Sequence, residues 1–395
     1  MKIAFQPAGS PTWPAGTTFV QAILHALRAA GRPIQAALLA RTETPDAPPE
    51  LLAEAPEFLH IPPLRRWTGR WLYDNALRRL GIPEPAASRD LRARGVDAVF
   101  SGWPLTRYHG IPLIVWIHDF QHRHLPDLFP PEERAERDRA FREVAVTAAR
   151  VVVMSESVRR DFADFAPREA GKARVVRTTV PVPEAVYAAD PRPTAARYGL
   201  PEKFVYLPGN FLAHKNHARV VEALGRLRRR GIDVAVACSG HPADYRDPAF
   251  YPALLRRIEA EGVRDRIALL GIIPRADVLL LMRQAACVLA PSRFEGLGLS
   301  VEEARAVGKR ILLSDIPSHR EQDPPAATWF DPEQVDDMEA KLSSVWREAA
   351  PGPDAALERE ARARQPERIR HAADSFLDAV RDVVAKPPRN ADQHG

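Results

Sequence analysis

Two glutamates separated by seven residues mark the part of this sequence whose residue types could do chemistry. Glu295 stands in a loop that also holds Gly296 and Gly298, and Glu303 follows in a helical pattern. Ionised carboxylates accept hydrogen bonds from hydroxyl groups, and glycines let a ligand come close to the backbone. The unpaired N–H groups at the start of a helix favour phosphate. Together these residue types suit a ligand that carries both phosphates and sugar hydroxyls.

The elements that must position these residues form one predicted β-α-β unit. An apolar run, Ala286 to Ala290, precedes the loop, and a second apolar run covers Ile311 to Leu313. Between them a short helix is predicted to open at Ser300 and to close at Gly308. Ligands of such units bind beyond the carboxyl ends of the parallel strands, which is where this loop lies.

A purely structural alternative exists for one of the glutamates. Ser300-Val-Glu-Glu303 also fits a capping box, in which Glu303 would accept from the backbone N–H of Ser300. From these residues alone, the capping interpretation is favoured for Glu303. Glu295 precedes the helix, so its only structural alternative is that of a solvated loop residue.

The segment Pro-Ser-Arg-Phe-Glu-Gly-Leu-Gly-Leu-Ser-Val-Glu-Glu-Ala, residues 291–304, resembles the donor-site signature of the retaining family-four glycosyltransferases. The resemblance implies that Glu295 contacts the hydroxyls of the donor sugar and that Glu303 holds the ribose hydroxyls of a nucleotide. It also implies that four consecutive backbone amides help to hold the donor diphosphate, namely those of Gly296, Leu297, Gly298 and Leu299.

A second loop, residues 208–217, reads Pro-Gly-Asn-Phe-Leu-Ala-His-Lys-Asn-His and joins a predicted strand to a helix. Lys215 in this loop could reach a phosphate beside the helix start, although a lysine at such a position is also common on surfaces. By the same resemblance, Lys215 stands at the position of the family's lysine. Some bacterial mannosyl- and rhamnosyltransferase-like members share the His-Lys-Asn-His sequence.

This loop also departs from the family pattern. Asn210 occupies the position where the family usually has an arginine. A carboxamide can bond to a phosphate oxygen but cannot neutralise its charge. We therefore expect Asn210 to contact the donor, with another cation, Arg275 or His214, supplying positive charge.

A His-Asp pair follows the predicted strand from Leu113 to Ile117. The segment resembles a His-Asp segment of bacterial mannosyl- and rhamnosyl-type members of the family, which implies that His118 contacts the donor sugar. A metal site formed by His118, His122 and His124 is the alternative. Their spacing matches neither the His-Glu-x-x-His helix nor a zinc finger, so sugar contact is favoured.

Two further loops belong to this comparison. The loop from Pro7 to Gly16 resembles the family's first loop, which faces the donor phosphates and the acceptor, and Gly16 is its nearest match to the usual paired glycines. No Gly-x-Gly-x-x-Gly occurs here, which weakens a nicotinamide-dehydrogenase interpretation. By resemblance, Ile273 in the segment Gly271 to Pro274 holds the nucleotide base through its backbone.

Composition limits the class of protein. The chain has 395 residues, 45% of them hydrophobic and 27% charged, which fits a globular protein of two domains. The net charge of +5, with acids and bases interleaved, argues against a dedicated nucleic-acid binder. Two cysteines, Cys238 and Cys287, lie in apolar runs and are expected to be buried and reduced. Without a signal peptide or an apolar run of membrane length, we expect a cytoplasmic protein, with contact at the inner membrane surface possible.

One basic and aromatic cluster runs from Arg65 to Trp71. It could rest on a membrane surface or bind a glycan. We favour the alternative, in which the tryptophans pack into the domain and the arginines extend outward.

The strand and helix pattern predicts an α/β protein of two doubly wound Rossmann-like domains that face a cleft. The family resemblance implies that this is the GT-B architecture. The predicted acceptor-side domain covers residues 1–185, a linker covers 186–200, and the nucleotide-sugar domain covers 201–365. A C-terminal helix, 366–386, is expected to return to the first domain, and a tail covers 387–395.

The reaction that the resemblance implies is transfer of a hexose, with retention, from a nucleoside-diphosphate sugar to a hydroxyl of a glycan or lipid-linked acceptor. The expected catalytic residues are Glu295, His118 and Lys215. No further cofactor is expected, and no Asp-x-Asp metal element occurs in the sequence. A GDP-linked donor and a role in surface polysaccharide or lipopolysaccharide assembly are favoured. A sugar-nucleotide epimerase and a non-catalytic nucleotide-sugar-binding protein remain alternatives.

Overall fold

The computed structural model describes residues 1–6, 15–40, 49–55, 57–61, 65–80, 82–102 and 107–384. It shows two parallel β-sheets with α-helices, and each sheet belongs to a separate compact unit. The prediction of two Rossmann-like α/β domains is therefore confirmed. Most of the predicted first loop, residues 7–14, and the predicted tail lie outside the described residues.

The strands are short, and seven of these thirteen are buried along their whole length, as is typical of parallel sheets. In chain order they are β1 (Lys2–Phe5), β2 (Gln35–Ala40), β3 (Glu57–His60), β4 (Ala98–Ser101), β5 (Leu113–Trp116), β6 (Arg150–Val153), β7 (Ala173–Val175), β8 (Val205–Pro208), β9 (Val236–Ser239), β10 (Ile267–Leu269), β11 (Cys287–Ala290), β12 (Ile311–Ser314) and β13 (Ala327–Phe330).

The α-helices of the described residues are α1 (Ala15–Ala29), α2 (Pro49–Glu54), α3 (Gly69–Arg79), α4 (Pro85–Ala93), α5 (Gln121–His124), α6 (Pro131–Thr147), α7 (Glu156–Phe165), α8 (Glu184–Ala188), α9 (Arg192–Arg197), α10 (His217–Arg229), α11 (Phe250–Ala260), α12 (Arg275–Gln284), α13 (Leu299–Ala306), α14 (Pro317–Gln322), α15 (Val335–Glu348) and α16 (Ala355–Val384). None of these helices combines the length and the apolar character that a membrane crossing needs.

The first unit comprises Met1–Asp119, Glu136–Thr179 and Glu367–Gly395, as far as these ranges are described. Its parallel sheet has the strand order β3-β2-β1-β4-β5-β6-β7. Aromatic side chains fill its core, and the ring centroids of Phe5 and Phe376 are 5.7 Å apart. Because Phe376 belongs to α16, the last helix supplies part of the core of the first unit.

The second unit comprises Phe120–Ala135 and Val180–Pro366. Its parallel sheet has the order β10-β9-β8-β11-β12-β13, so the chain moves outward in one direction from β8 and in the other from β11. These two strands are neighbours, with Cys287 opposite Val205. The carboxyl ends of β8 and β11 therefore form the topological switch point, where open α/β sheets bind their ligands.

Several predicted features differ from the structure. The stretch predicted as a linker, residues 186–200, contains α9 and most of α8. The last helix begins at Ala355 and continues through Pro366, well before its predicted start. The preferred interpretation of the basic and aromatic cluster was wrong for Trp67, whose side chain is 76% exposed. The hydrogen-bonded turn that contains Trp67 keeps this side chain at the surface.

Candidate functional site

The site centres on an ion pair between the loops that follow β8 and β11. The Nζ atom of Lys215 lies 2.5 Å from Oε1 of Glu295. Ser292, three residues before Glu295, donates from its Oγ to the same carboxylate oxygen at 2.6 Å. Both charged side chains are largely buried, with 22% and 13% of their surfaces exposed. The sheet topology explains the contact between Lys215 and Glu295, because each loop leaves the carboxyl end of one of two paired strands.

The charge state of Glu295 follows from its surroundings. Burial alone would favour the neutral acid, but the ammonium of Lys215 and the imidazoles of His214 and His319 outweigh it and lower the pKa of Glu295 to about 2. Glu295 is therefore an anion near neutral pH. In that state it accepts hydrogen bonds and has no proton to donate.

The loop between Glu295 and α13 has a backbone shape that requires glycine. Gly298 is the N-cap of α13, with φ of 90°, and a Cβ atom there would lie 2.8 Å from Nε2 of His319. Nδ1 of His319 lies 3.0 Å from the carbonyl oxygen of Ser314, which fixes the ring. Gln322 donates to the carbonyl oxygens of Leu297 and Gly298. These contacts hold the loop at the start of α13, where the first N–H groups have no partner within the helix.

Glu303 is buried in α13, with 6% of its side chain exposed, and forms an ion pair with Arg275 at the start of α12. The capping-box interpretation was wrong, since the N-cap residue is Gly298 and no side chain caps the helix. Ser300 lies inside the helix. The carboxylate of Glu303 is thus directed towards the α12 side of the unit, and Arg275, which we had considered as a cation for the diphosphate, pairs with it.

Lys215 ends a short 3-10 turn, Ala213–Lys215, between β8 and α10. The next residue, Asn216, has φ of 64° and donates from its side chain to the carbonyl oxygen of Pro332 at 3.0 Å. The carbonyl oxygen of His214 accepts from the backbone N–H of Arg293 at 2.8 Å. The two loops are therefore joined by backbone as well as by the ion pair.

Asp244 and Arg246, in the segment after β9, support the same turn from its other side. Oδ2 of Asp244 accepts from the backbone N–H of Ala213 at 2.9 Å and from Arg246 at 2.8 Å. Nη2 of Arg246 lies 3.3 Å from Nδ1 of His214, and its Nη1 donates to Gln121 at 2.8 Å. Both charged side chains are almost fully buried. This pair holds the turn that presents Lys215.

Two other predicted donor-binding residues lie at the same edge of this sheet. Asn210 follows β8, and its Oδ1 accepts from the backbone N–H of His241 at 2.9 Å. Ile273 is half-buried in the loop after β10 and packs against the core. The carboxamide of Asn210 thus also ties the loop after β8 to the loop after β9.

Gly16 and His118 belong to the first unit. Gly16 lies in the first turn of α1, so it is helical where we had predicted a loop. His118 follows β5, and its Nε2 lies 3.9 Å from Oδ1 of Asp119. Burial lowers the pKa of His118, opposed by Asp119 and reinforced by Arg137. The structure brings Lys215 and Glu295 into contact, and Asn210, Ile273 and Glu303 belong to the same unit.

The structure also bears on the alternative of a histidine metal site and on the state of the two cysteines. Among the described residues, no group of three or more His, Cys, Asp or Glu side chains is placed to hold a metal ion. His122 is buried and stacks against Phe120. Cys238 and Cys287 are buried free thiols, as predicted.

Sequence reasoning missed the residues that shape the site. The sequence analysis assigned no role to Ser292, His319, Asp244 or Arg246. The Ser292 contact could have been found from its spacing to Glu295. The other three act across long sequence distances, for which a single sequence carries no local signal.

Part of the chain is similar in sequence to known proteins. Residues 196–364 match the family described as glycosyl transferases group 1. The chain is 27% identical over 226 residues to an α-D-kanosaminyltransferase of Streptomyces kanamyceticus, a match that covers 55% of this chain and 56% of that protein. The chain spans about half the length of the curated relatives it matches.

Solved structures are similar over almost the whole chain. Sucrose-phosphate synthase of Thermosynechococcus elongatus has a TM-score of 0.67 at 16% identity and covers 98% of this chain and 99% of its own. Anabaena HepE, solved with UDP and glucose, has a TM-score of 0.61 at 14% identity and covers 96% of this chain and 95% of its own. At these identities the likeness shows the fold, which is the GT-B fold. The segment that matches the glycosyl transferases group 1 family, residues 196–364, carries both Lys215 and Glu295.

Proposed function

We propose that this protein is a retaining glycosyltransferase that moves a hexose from a nucleoside-diphosphate sugar to a hydroxyl of a glycan or lipid-linked acceptor. A role in surface polysaccharide or lipopolysaccharide assembly belongs to the same proposal. The transfer needs no metal ion and no further cofactor. The protein acts in the cytoplasm.

The observation that carries the proposal is the ion pair between Lys215 and Glu295 at the switch point of the second sheet. A cation, an anion and the start of a helix lie together there, and each matches one part of a nucleotide sugar. Lys215 and the first N–H groups of α13 suit the diphosphate. Glu295, which is ionised, suits the hydroxyls of the sugar.

The ion pair between Lys215 and Glu295 also suggests how the nucleotide-sugar donor binds. A diphosphate competes with Glu295 for the ammonium of Lys215, because it carries more negative charge than one carboxylate. When Lys215 turns to the phosphate, the Oε1 atom of Glu295 becomes available to a sugar hydroxyl. Ser292 keeps the carboxylate in position during this exchange, since its bond to Oε1 does not involve Lys215.

In the reaction, the bond between the anomeric carbon and the diphosphate oxygen breaks, and the acceptor oxygen bonds to that carbon. The acceptor proton passes to the leaving phosphate. Negative charge grows on the diphosphate as the bond breaks, so Lys215 and the α13 amides stabilise the transition state more than the bound donor. His118 contacts the sugar, and Glu303 holds the ribose hydroxyls.

The proposal also specifies the nucleotide base and the sugar of the donor. The Asn210 loop, with its His-Lys-Asn-His sequence, favours a GDP-linked hexose such as mannose or rhamnose. Anabaena HepE was solved with UDP and glucose, so UDP-sugars are the direct competitors.

A ligand panel tests the proposal on the purified chain. GDP-, UDP- and dTDP-sugars are added singly, and the melting temperature is recorded, because a ligand that prefers the native state raises it. We expect a GDP-sugar to give the largest rise and to be hydrolysed slowly without an acceptor. Binding without hydrolysis or transfer to any acceptor would support a non-catalytic nucleotide-sugar-binding protein, and release of an epimerised sugar would support an epimerase.

A further inference from the structure

One surface of the first unit exposes large apolar side chains close together in the sequence. Trp67, Leu72, Tyr73 and Leu80 have 76%, 52%, 58% and 77% of their surfaces exposed. Four of the nine large hydrophobic side chains that are exposed in the described part of the chain fall within these fourteen residues. Scattered exposed hydrophobic residues are normal, but a cluster of this kind marks an interaction surface.

The cluster arises because helix α3 faces solvent with its apolar side. Leu72, Ala76 and Leu80 recur every four residues, so they share one face, and all three are exposed. The carboxylate of Asp74 is turned to the protein instead, where Oδ1 accepts from the backbone N–H of Ala86 at 2.7 Å. In a helix that only covers a core, the apolar residues would face the protein and the charged residues would face solvent.

The turn before α3 fixes Trp67 on the same surface. Trp67 has φ of 66°, a left-handed conformation that a bulky residue rarely adopts. Thr68 holds the turn, since its hydroxyl donates to the carbonyl oxygen of Arg65 at 2.8 Å and accepts from the backbone N–H of Trp71 at 3.2 Å. The indole of Trp67 lies beside that of Trp71, with ring centroids 5.1 Å apart. The exposed tryptophan is therefore part of an ordered turn.

The charge around these side chains has one sign. Residues 61–83 contain five arginines and one acidic residue, the buried Asp74. Arg65, Arg66, Arg70 and Arg79 are exposed. A helix with an outward apolar face, tryptophan and surrounding arginines has the composition of segments that lie in the interface of an anionic bilayer.

We propose that this surface, formed by the turn at residues 65–68 and helix α3, docks the protein on the surface of an anionic phospholipid membrane. Trp67, Leu72, Tyr73 and Leu80 enter the headgroup region, and the arginines contact lipid phosphates. This is attachment to one face of the bilayer through the turn and α3. The proposal goes beyond the proposed function and does not depend on it, because vesicle binding needs no sugar donor.

The experiment is vesicle flotation of the full chain with phosphatidylcholine alone and with phosphatidylcholine containing phosphatidylglycerol. We expect binding to the mixed vesicles, weaker binding at high salt, and little binding to phosphatidylcholine. Replacing Arg65, Arg66 and Arg70 by glutamine should lower the partition coefficient about a hundredfold, at roughly fivefold per arginine. The matched control, Arg256→Gln with Arg359→Gln, changes two exposed arginines of the second unit and should bind as the wild type does.

The apolar contribution is tested with a second variant, Trp67→Ser combined with Leu72→Ser. It should lose most vesicle binding, while Val146→Ser, an exposed apolar position of α6, should keep it. Circular dichroism melting and gel filtration of every variant show whether it is folded and monomeric. Equal vesicle binding by wild type and both variants, or no binding by the wild type, would overturn the proposal. So would a wild-type dimer that dissociates in the Trp67→Ser variant without binding vesicles, because the surface would then join two copies of the chain.

Discussion

Lys215 and Glu295 form an ion pair of 2.5 Å although eighty positions of sequence separate them. The contact follows from topology, since β8 and β11 are paired and each loop leaves the same edge of the sheet. Both signs of charge are therefore present before a ligand arrives. Variants of these two residues can therefore separate phosphate binding from the transfer step.

Replacing Glu295 by glutamine should lower kcat/KM for transfer by roughly a hundredfold or more, because a neutral amide stabilises less of the charge that develops on the sugar. Affinity for the free nucleoside diphosphate should be unchanged or higher, since Lys215 loses its competing partner. Steady-state kinetics and calorimetry measure the two effects. Glu259→Ala, at an exposed glutamate, is the control, and full turnover by Glu295→Gln would remove this residue from the site.

Replacing Lys215 by alanine should weaken binding of the nucleoside diphosphate roughly 10- to 100-fold, the range of a hydrogen bond to a charged group. Calorimetry with the free diphosphate measures this directly. The double variant with Glu295→Ala should recover part of the loss, because the remaining carboxylate no longer repels the phosphates. Lys341→Ala, at an exposed lysine, should bind normally. Unchanged affinity in Lys215→Ala would mean that other groups hold the diphosphate.

Glu303 gives a prediction about the ribose. The wild type should bind a nucleoside diphosphate roughly tenfold more tightly than its 2′,3′-dideoxy analogue, because a carboxylate accepts from the ribose hydroxyls. In Glu303→Gln this preference should shrink. Arg275→Gln keeps the carboxylate but removes its ion-pair partner, so the preference for ribose should remain. The same ratio in wild type and Glu303→Gln would contradict the assignment.

The buried side chain of His217 should make the stability of the protein depend on pH. Neither ring nitrogen has a hydrogen-bond partner, and burial, with Lys215 and His214 nearby, lowers its pKa to about 3. In the unfolded chain, His217 takes up a proton as the pH falls below its ordinary pKa of 6.5. In the folded protein it stays neutral until the pH reaches about 3. Stability from this group is therefore present above 6.5 and falls as the pH is lowered towards 3.

The loss of unfolding free energy that His217 causes at lower pH can be measured against a variant. His217→Phe keeps an aromatic ring beside Phe211, which stacks on the histidine at 4.5 Å. Between pH 7 and pH 5 the wild type should lose about 2 kcal/mol more unfolding free energy than the variant. Denaturant titrations at both pH values give the difference. Parallel losses in the two proteins would show that His217 does not remain neutral in the fold.

Local sequence patterns were sufficient for most strands of the core. The strands β5 and β11 are continuous apolar runs, and their observed bounds lie within one residue of the predicted runs, Leu113 to Ile117 and Ala286 to Ala290. The strand β13, Ala327–Phe330, was not predicted, because its short sequence, Ala-Thr-Trp-Phe, directly follows two prolines and an alanine and has no clear alternation. It is defined by its pairing with β12.

The start of α13 shows why the site could be predicted only in part. The sequence Ser300-Val-Glu-Glu303 satisfies a capping-box pattern locally. The structure instead begins the helix after Gly298, since His319 and Gln322 hold the preceding loop from more than twenty residues away. The positions of Glu295 and Lys215 could be predicted from strand ends. The network that orients them needs the folded chain.

The last helix has a consequence for how the protein is made. Phe376, Ala373 and Val380 of α16 lie in the core with Phe5 of β1. The residues that close this interior thus leave the ribosome only after all of residues 180–366. An amino-terminal fragment made without them would expose a hydrophobic hollow, so nascent chains stalled before residue 367 should be substrates for chaperones.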